Sequence, residues 1–197
     1  MPSQTFLNLD KAKQNKLLNS SMDEFNNYLY PDVSINRIIM NAGISRGSFY
    51  MYFADKDDLF EYLVDINRQR LILIFKDIFI KNNGDLYDSF SDLYDALIKF
   101  VFEENYKLMF KNIFIYFNMH KKQFEKPGYD FFVQVKDLID TKNVKGDELE
   151  FIFIMILHTL FMSITYVLDN DILDNKDIYL KKLNILCHGI YDGKGEI

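Results

Sequence analysis

The chain has 197 residues, of which 49% are hydrophobic and 16% are aromatic, so it can bury a substantial core and we do not expect disorder. Its net charge of −6 excludes a protein that coats nucleic acid through bulk positive charge. The single cysteine, Cys187, excludes an internal disulfide and is typical of a reducing compartment. Because no basic and hydrophobic signal peptide opens the chain, we expect a cytoplasmic protein.

The N-terminal part is predicted to hold three helices after a loose arm at residues 1–9. Residues 10–28 place apolar side chains at helical spacing, and the sequence Tyr-Pro-Asp at 30–32 ends that helix, because proline cannot continue a helix interior. Two short helices are predicted within residues 34–56, which read SINRIIMNAGISRGSFYMYFADK.

This stretch has the layout of a helix-turn-helix. Ser34 can cap the first short helix, and Gly43 can end it in a left-handed conformation. Ser45 can cap the second helix, and Asp55 with Asp58 can open the helix that follows. The second helix is short enough to lie in a DNA major groove.

Beyond this stretch the hydrophobic periodicity predicts six more helices and gives no strand-like alternation. Their expected bounds are 56–81, 86–104, 106–118, 129–140, 147–168 and 177–191. A polar connector is predicted over residues 121–128, because it ends in the sequence Pro-Gly. The expected fold class is therefore all-α, with about nine helices in total.

Residues 151–168 hold no charged side chain and reach the lower length limit for a membrane span. Acidic residues flank this segment on both sides, which is unlike the positively charged flank of a membrane anchor. The flanking residues are Asp147, Glu148, Glu150, Asp169 and Asp171. We therefore expect a helix that is buried on all sides, in a protein without a membrane partner.

A pattern of aromatic, small and polar residues runs through the predicted helix-turn-helix. Its members are Phe25, Tyr30, Ser34, Ile35, Ile38, the run 42–50 (AGISRGSFY), Tyr52, Phe53, Lys56 and Leu59. In these residues the chain resembles the TetR (tetracycline-repressor-like) family of bacterial transcription regulators, over roughly residues 12–64. The sequence departs from the family pattern at three places: Leu29 replaces a usual glycine, Ile39 a usual alanine, and Asn36-Arg37 a common arginine–acid pair.

The resemblance implies an N-terminal three-helix DNA-binding domain at residues 1–55 and a helical ligand-binding and dimerisation domain at residues 56–197. It also implies a homodimer that forms through about residues 147–168 and 177–191. Double-stranded DNA and a small-molecule effector are the partners that the resemblance implies.

The residue types in the second short helix indicate how it could meet DNA. Arg46 can fork onto a guanine edge or a phosphate, and Gly47 lets the backbone approach closely. Side chains near helix starts favour phosphate, because free backbone N–H groups lie there. The predicted DNA-binding residues are Ser34, Arg46, Gly47, Ser48, Tyr50, Tyr52 and Lys56. Residues 1–56 carry six basic and five acidic residues, so any attraction to phosphate is local.

An apolar or aromatic effector suits the many Phe, Tyr and Met residues of the body. The candidate ligand-binding residues are Tyr94, Phe114, Phe117, Met119, His158, Met162 and Tyr166, each of which is also a candidate for plain core. The three histidines and Cys187 show no metal-ligand spacing, so neither a metal nor a cofactor is predicted. We expect no enzyme, because the sequence has no nucleophile elbow, phosphate-binding glycine loop or paired-cysteine motif.

These features favour a homodimeric transcriptional repressor that a small apolar or aromatic molecule releases from its operator. The first alternative is an adaptor of the same fold that binds protein partners and has lost sequence-specific DNA reading. The low positive charge of residues 1–56 keeps this alternative open. A helical enzyme with an aromatic pocket is the second alternative, and it would require turnover.

Overall fold

The computed structural model describes residues 1–103, 106–119, 125–142, 148–170 and 175–188. Over these residues it contains ten α-helices, two short 3-10 helices and no strand, so the predicted all-α fold class is confirmed. The α-helices are α1 Gln4–Leu7, α2 Lys11–Asn27, α3 Ile35–Ala42, α4 Arg46–Tyr52, α5 Lys56–Lys81, α6 Leu86–Glu103, α7 Lys107–Met119, α8 Glu125–Val135, α9 Leu149–Asn170 and α10 Lys176–His188; the 3-10 helices are Tyr30–Asp32 and Lys136–Leu138.

The chain divides into two compact units. The first unit comprises Met1–Arg70 with Asn105–Lys121, and the second comprises Leu71–Glu104 with Lys122–Ile197. The division at residue 55 that the resemblance implies stays a prediction. The first compact unit extends beyond that residue and includes α7, which packs against α2 and the 3-10 helix Tyr30–Asp32. Helix α5 contributes residues to both units.

Aromatic side chains form the centre of the first unit. Phe25, Phe60 and Tyr30 are buried, and the ring centroids of Phe25 and Phe60 lie 4.7 Å apart. Tyr116 of α7 adds an edge-on ring 5.1 Å from Tyr30. Offset and edge-on aromatic pairs of this kind are worth about 0.5–1.5 kcal/mol each beyond the area they bury.

The buried side chain of Asn112 in α7 completes the end of α2. Its Oδ1 accepts a hydrogen bond from Tyr30 N at 2.7 Å, and its Nδ2 donates to the carbonyl oxygens of Phe25 and Tyr28 at 2.8 and 2.9 Å. Carbonyls in the last turn of a helix have no intrahelical donor and need a partner of this kind when they are buried. Helix α7 therefore caps α2 from more than 80 residues away along the chain.

Two predictions near the chain's turns and ends are wrong. Residues 1–9 are not a loose arm, because α1 forms there and Phe6 has no exposed surface. Residues 125–128 are not a polar connector, because α8 begins at Glu125. Proline is tolerated in the first turn of a helix, where no intrahelical N–H is needed, so Pro127 does not stop α8.

The second unit has its own aromatic core. Phe79, Phe90 and Phe153 are fully buried, and the ring centroids of Phe90 and Phe153 lie 5.3 Å apart. Tyr179 stacks on Tyr94 with a centroid distance of 4.9 Å and donates its hydroxyl to the carbonyl oxygen of Phe90 at 3.0 Å. These contacts join α6, α9 and α10 within this unit.

The sequence predicts that the apolar helix at residues 151–168 is buried on all sides. Helix α9 is apolar, but this prediction of complete burial is wrong. It packs against α6, α8 and α10, yet Phe151, Met155, Met162 and Tyr166 are between 41% and 68% exposed. Among the described residues, α9 is the one helix whose length and composition would allow it to cross a membrane, and 44% of its most apolar stretch is buried. Core helices of globular proteins meet the same criterion.

Gly84, in the turn between α5 and α6, tests the packing of the second unit. Its φ is +80°, and an added Cβ would overlap the carbonyl oxygen of Leu138 and lie 2.5 Å from the nitrogen of Asp140. Gly84→Ala should therefore lower the free energy of unfolding by about 2 kcal/mol or more in urea denaturation.

Gly47→Ala is the matched control for this measurement. Gly47 lies in α4, and the nearest heavy atom to its added Cβ is Ser45 Oγ at 3.8 Å. Alanine favours a helix by about 0.5–1 kcal/mol over glycine, so this variant should be as stable as the wild type or slightly more stable. Equal stability of Gly84→Ala and Gly47→Ala would contradict the packing described around Gly84.

Candidate nucleic-acid interface

Helices α3 and α4 form the helix-turn-helix that the sequence predicts. Gly43 ends α3 with φ +66° and ψ +37°, a left-handed conformation that glycine adopts without steric cost. The backbone N–H groups of Gly43 and Ile44 donate to the carbonyls of Met40 and Ile39. Ser45 caps α4, because its Oγ accepts a hydrogen bond from Ser48 N at 3.0 Å.

The start of α3 is held differently from the prediction. Ser34 occupies the cap position, but its hydroxyl makes no capping hydrogen bond. Instead, its backbone N–H donates to the carboxylate of Glu24 in α2 at 2.8 Å. A carboxylate at a helix N-terminus satisfies a free N–H and interacts favourably with the helix dipole. Glu24 therefore takes the role that the sequence gave to the Ser34 side chain.

Glu24 is buried, and it also binds Arg37 of α3. The guanidinium of Arg37 donates to both carboxylate oxygens, with the shortest distance 2.6 Å, and to the carbonyl oxygen of Asp32 at 2.7 Å. The hydrogen bonds to Glu24 raise the pKa of Arg37 above its ordinary value. The guanidinium also stacks 3.9 Å from the ring centroid of Tyr28. Arg37 is therefore a charged structural link between α2 and α3.

The inner face of α4 consists of aromatic anchors. Phe49 and Phe53 are buried, with their ring centroids 6.1 Å apart. Phe53 also lies 4.9 Å from Phe6 and 5.9 Å from Tyr62 of α5. These contacts fix which side of α4 faces the core, and so they fix which side faces solvent.

The outer face of α4 presents Arg46, Gly47 and Tyr50 to solvent. The guanidinium of Arg46 donates to Asn36 Oδ1 at 2.8 Å and to the hydroxyl of Tyr50 at 3.3 Å. Asn36, Arg46 and Tyr50 thus form an exposed polar row that joins the start of α3 to α4. Asn36 is not among the predicted DNA-binding residues, although its place in the first turn of α3 could have indicated it.

Three other predicted DNA-binding residues make intramolecular contacts. Ser48 is partly buried, and its Oγ lies 2.8 Å from Ser45 Oγ. Tyr52 is partly buried, with its ring 5.9 Å from that of Phe6. The ammonium of Lys56 donates to the carbonyl oxygen of Tyr30 at 2.8 Å, which ties the start of α5 to the turn after α2.

Tyr30 is the centre of a buried polar group beside this turn. Its hydroxyl donates to the carboxylate of Asp57, and the Lys56 ammonium lies 4.6 Å from its ring centroid. Burial and the nearby Asp57 carboxylate raise the pKa of Tyr30 well above its ordinary value. The hydroxyl of Tyr116 donates to Glu61 at 2.5 Å on the neighbouring turn of α5. The start of α5 is thus held by polar bonds as well as by its aromatic core.

The seven candidate ligand-binding residues are divided between the two units. Tyr94 is core, because it is 3% exposed and stacks on Tyr179. His158, Met162 and Tyr166 lie on the exposed face of α9, because neighbouring positions of α9 face α6, α8 and α10.

The remaining three candidates belong to α7 in the first unit. Phe114 is partly buried beside Phe110, Met119 is 56% exposed, and the side chain of Phe117 lies outside the described part of the chain. The second unit has an open groove of about 560 Å³ that none of the seven candidates lines. Its lining residues are Tyr87, Asp177, Leu180, Lys181, Asn184 and Ile185. Over the described residues no cluster of three or more His, Cys, Asp or Glu residues could hold a metal ion.

Comparisons with known proteins agree with this geometry. Residues 17–63 match the family described as "Bacterial regulatory proteins, tetR family". No curated protein matches the chain. A TetR-family regulator from Streptomyces coelicolor shares the fold at 18% identity, with a TM-score of 0.64 over 90% of this chain and 80% of that one.

Two regulators named FadR also share the fold. One is described as a fatty acid degradation regulator and the other as a transcriptional regulator. FadR from Bacillus halodurans aligns with a TM-score of 0.61 at 16% identity, over 90% of this chain and 99% of that one. FadR from Bacillus subtilis, solved in complex with stearoyl-CoA, aligns with a TM-score of 0.59 at 16% identity over the same shares.

Gly47→Ala separates DNA contact from stability at the outer face of α4. The new methyl group meets no backbone in the free protein, so the fold should be unaffected. If α4 enters a major groove, the methyl group should obstruct the approach of its backbone and weaken operator binding about tenfold or more, a change of about 1.4 kcal/mol. Fluorescence anisotropy measures this loss, and unchanged affinity would remove Gly47 from the interface.

Proposed function

This chain belongs to the TetR family of bacterial transcription regulators, and we propose that it is a repressor that a small apolar or aromatic molecule releases from its operator. The observation that carries the proposal is the exposed polar row of Asn36, Arg46 and Tyr50 on the matched helix-turn-helix. This face is held to the core from behind by Phe49 and Phe53.

In this proposal α4 lies in the major groove and its polar row reads the bases. The Arg46 guanidinium has five N–H donors, more than its bonds to Asn36 and Tyr50 use, and it can fork onto the O6 and N7 atoms of guanine. An exposed asparagine such as Asn36 suits the N6 and N7 atoms of adenine in the same way. The internal bonds orient Arg46 before DNA arrives, which lowers the entropy cost of binding.

A homodimer would present two such helices to two half-sites, about 34–36 Å apart on the duplex. Its support is an apolar stripe on the exposed face of α9, at spacings of three and four residues. The stripe consists of Phe151, Met155, His158, Met162 and Tyr166. Ile178 and Ile185 of α10 are also about half exposed. Exposed apolar rows of this kind are typical of surfaces that pair with another protein.

The proposed effector binds in the helical body and favours an arrangement with the wrong half-site spacing. A coupling of about 1–3 kcal/mol between the two sites would lower operator affinity by about 5- to 150-fold. An apolar site in the second unit would have to open among its packed rings, because Phe90, Phe153 and Tyr179 fill the core. Because FadR from Bacillus subtilis was solved with stearoyl-CoA, this long-chain acyl compound is the first molecule to test.

Anisotropy of labelled duplex from the DNA that flanks the gene tests this function. We expect the flanking duplex to bind with a Kd of about 10⁻⁸ M or tighter. Across a salt series, its affinity should be well above that of a scrambled duplex. Addition of stearoyl-CoA, and then of smaller aromatic compounds, to the preformed complex tests release. Equal, weak and salt-sensitive binding to both duplexes would instead favour an adaptor that binds protein partners.

Met162→Lys tests the proposed dimer surface. A lysine in the middle of the α9 stripe would have to be buried without a partner in the dimer, so it should weaken dimerisation about 100-fold or more. Sedimentation velocity over a concentration series measures the change.

Ile80→Lys is the matched control, because Ile80 is 62% exposed on α5 and lies on neither α9 nor α10. This control should sediment like the wild type. A wild type that remains monomeric at all concentrations, or a Met162→Lys variant that still dimerises normally, would contradict the proposed surface.

A further inference from the structure

Residues 3–9, which we term the N-terminal strap, are attached to the C-terminal end of α4. The backbone N–H of Ser3 donates to the carbonyl oxygen of Tyr52 at 2.9 Å. The hydroxyl of Ser3 donates to the carbonyl oxygen of Met51 at 2.6 Å. Carbonyls in the last turn of a helix have no intrahelical donor, so Ser3 supplies two partners that α4 itself cannot provide.

An aromatic side chain anchors the N-terminal strap to the same place. Phe6 has no exposed surface, and its ring centroid lies 4.9 Å from that of Phe53 and 5.9 Å from that of Tyr52. It also meets the ring of Tyr62 of α5 edge-on at 5.8 Å. Phe6 therefore fills the space between the end of α4 and α5, and its burial holds Ser3 in position.

Gln14 of α2 fastens the other end of the strap. Its buried side-chain amide lies 2.9–3.1 Å from the carbonyl oxygens of Phe6, Leu7 and Leu9, and it donates to them. Two of these carbonyls lie in the last turn of α1, and the carbonyl of Leu9 follows it. A buried amide that serves several backbone carbonyls specifies one backbone path, because any other path would leave polar groups unpaired.

The strap lies outside the part of the chain that carries the family match, which begins at residue 17. It nevertheless completes the capping of α4: Ser45 caps the N-terminal end and Ser3 the C-terminal end. A helix of seven residues is not stable alone, and its direction depends on what holds its two ends.

We propose that the N-terminal strap is a positioning element for DNA reading, in which Ser3 and Gln14 fix the C-terminal end of α4. Through that end the strap sets the direction in which Arg46 and Tyr50 meet the groove. The strap does not need to touch DNA for this role. The proposal rests on the proposed DNA-binding function, and its test includes one measurement that needs no DNA.

The first measurement is hydrogen–deuterium exchange of the free full-length chain over residues 50–53. Ser3→Ala removes the hydroxyl that donates to Met51, and Gln14→Met removes the donors to the strap while it keeps a neutral side chain of similar length. Both variants should exchange about tenfold faster or more at these amides. Ser3→Thr, which keeps the hydroxyl, and Thr5→Ala, at an exposed position of α1, should match the wild type. Unchanged exchange in Ser3→Ala would overturn the proposal.

The second measurement is the ratio of affinities for the operator and a scrambled duplex, at a temperature where urea denaturation shows every variant folded. We expect the ratio to fall about fivefold or more in Ser3→Ala and Gln14→Met, with an unchanged salt slope, because no phosphate contact is lost. A ratio equal to that of the wild type would overturn the proposal. A wild type without any preference would refute the DNA-binding function, and the exchange measurement would still decide whether the strap fixes α4.

Discussion

Helix α4 has only seven residues, and such a short helix does not hold together in water without tertiary contacts. Its conformation depends on the burial of Phe49 and Phe53 behind it. The large apolar surface of these two rings selects one inward face, so the opposite face with Arg46 and Tyr50 must point to solvent. Helices α1 and α3 pack against α4, and α2 packs against α3.

Buried polar groups further stabilise the helix arrangement that the aromatic rings favour. Glu24, Asn112 and Gln14 each satisfy backbone groups at the end of a helix other than their own. A buried polar group without a partner costs about 1–3 kcal/mol, so each of these side chains favours one arrangement over slightly shifted alternatives. The apolar stripe of α9 is a different case, because its side chains are exposed to water. They would be buried only if another surface covered them.

Local rules gave several correct predictions from the sequence, where the cause lies within a few residues, but they failed for the Ser34 side-chain cap and for the Pro-Gly end of the predicted connector. The left-handed Gly43, the Ser45 cap and the helical spacing that predicts α5 are examples of the correct predictions. The sequence does not predict the attachment of α1 through Ser3, the role of Asn112 or the bond from Lys56 to Tyr30, because these partners lie between 26 and 87 residues apart along the chain. Apolar composition also could not distinguish a core residue such as Tyr94 from an exposed one such as Met162, since both suit an apolar helix face.

We propose that the outer face of α4 reads base pairs, and this proposal has a direct test. It measures the affinity of the wild type and of Arg46→Ala for a set of operators in which each base pair is changed in turn. We expect the variant to lose about 1–3 kcal/mol of discrimination at one base pair in each half-site and to keep the wild-type preference elsewhere. A profile that falls uniformly, or that remains identical to the wild type at every position, would contradict the proposal.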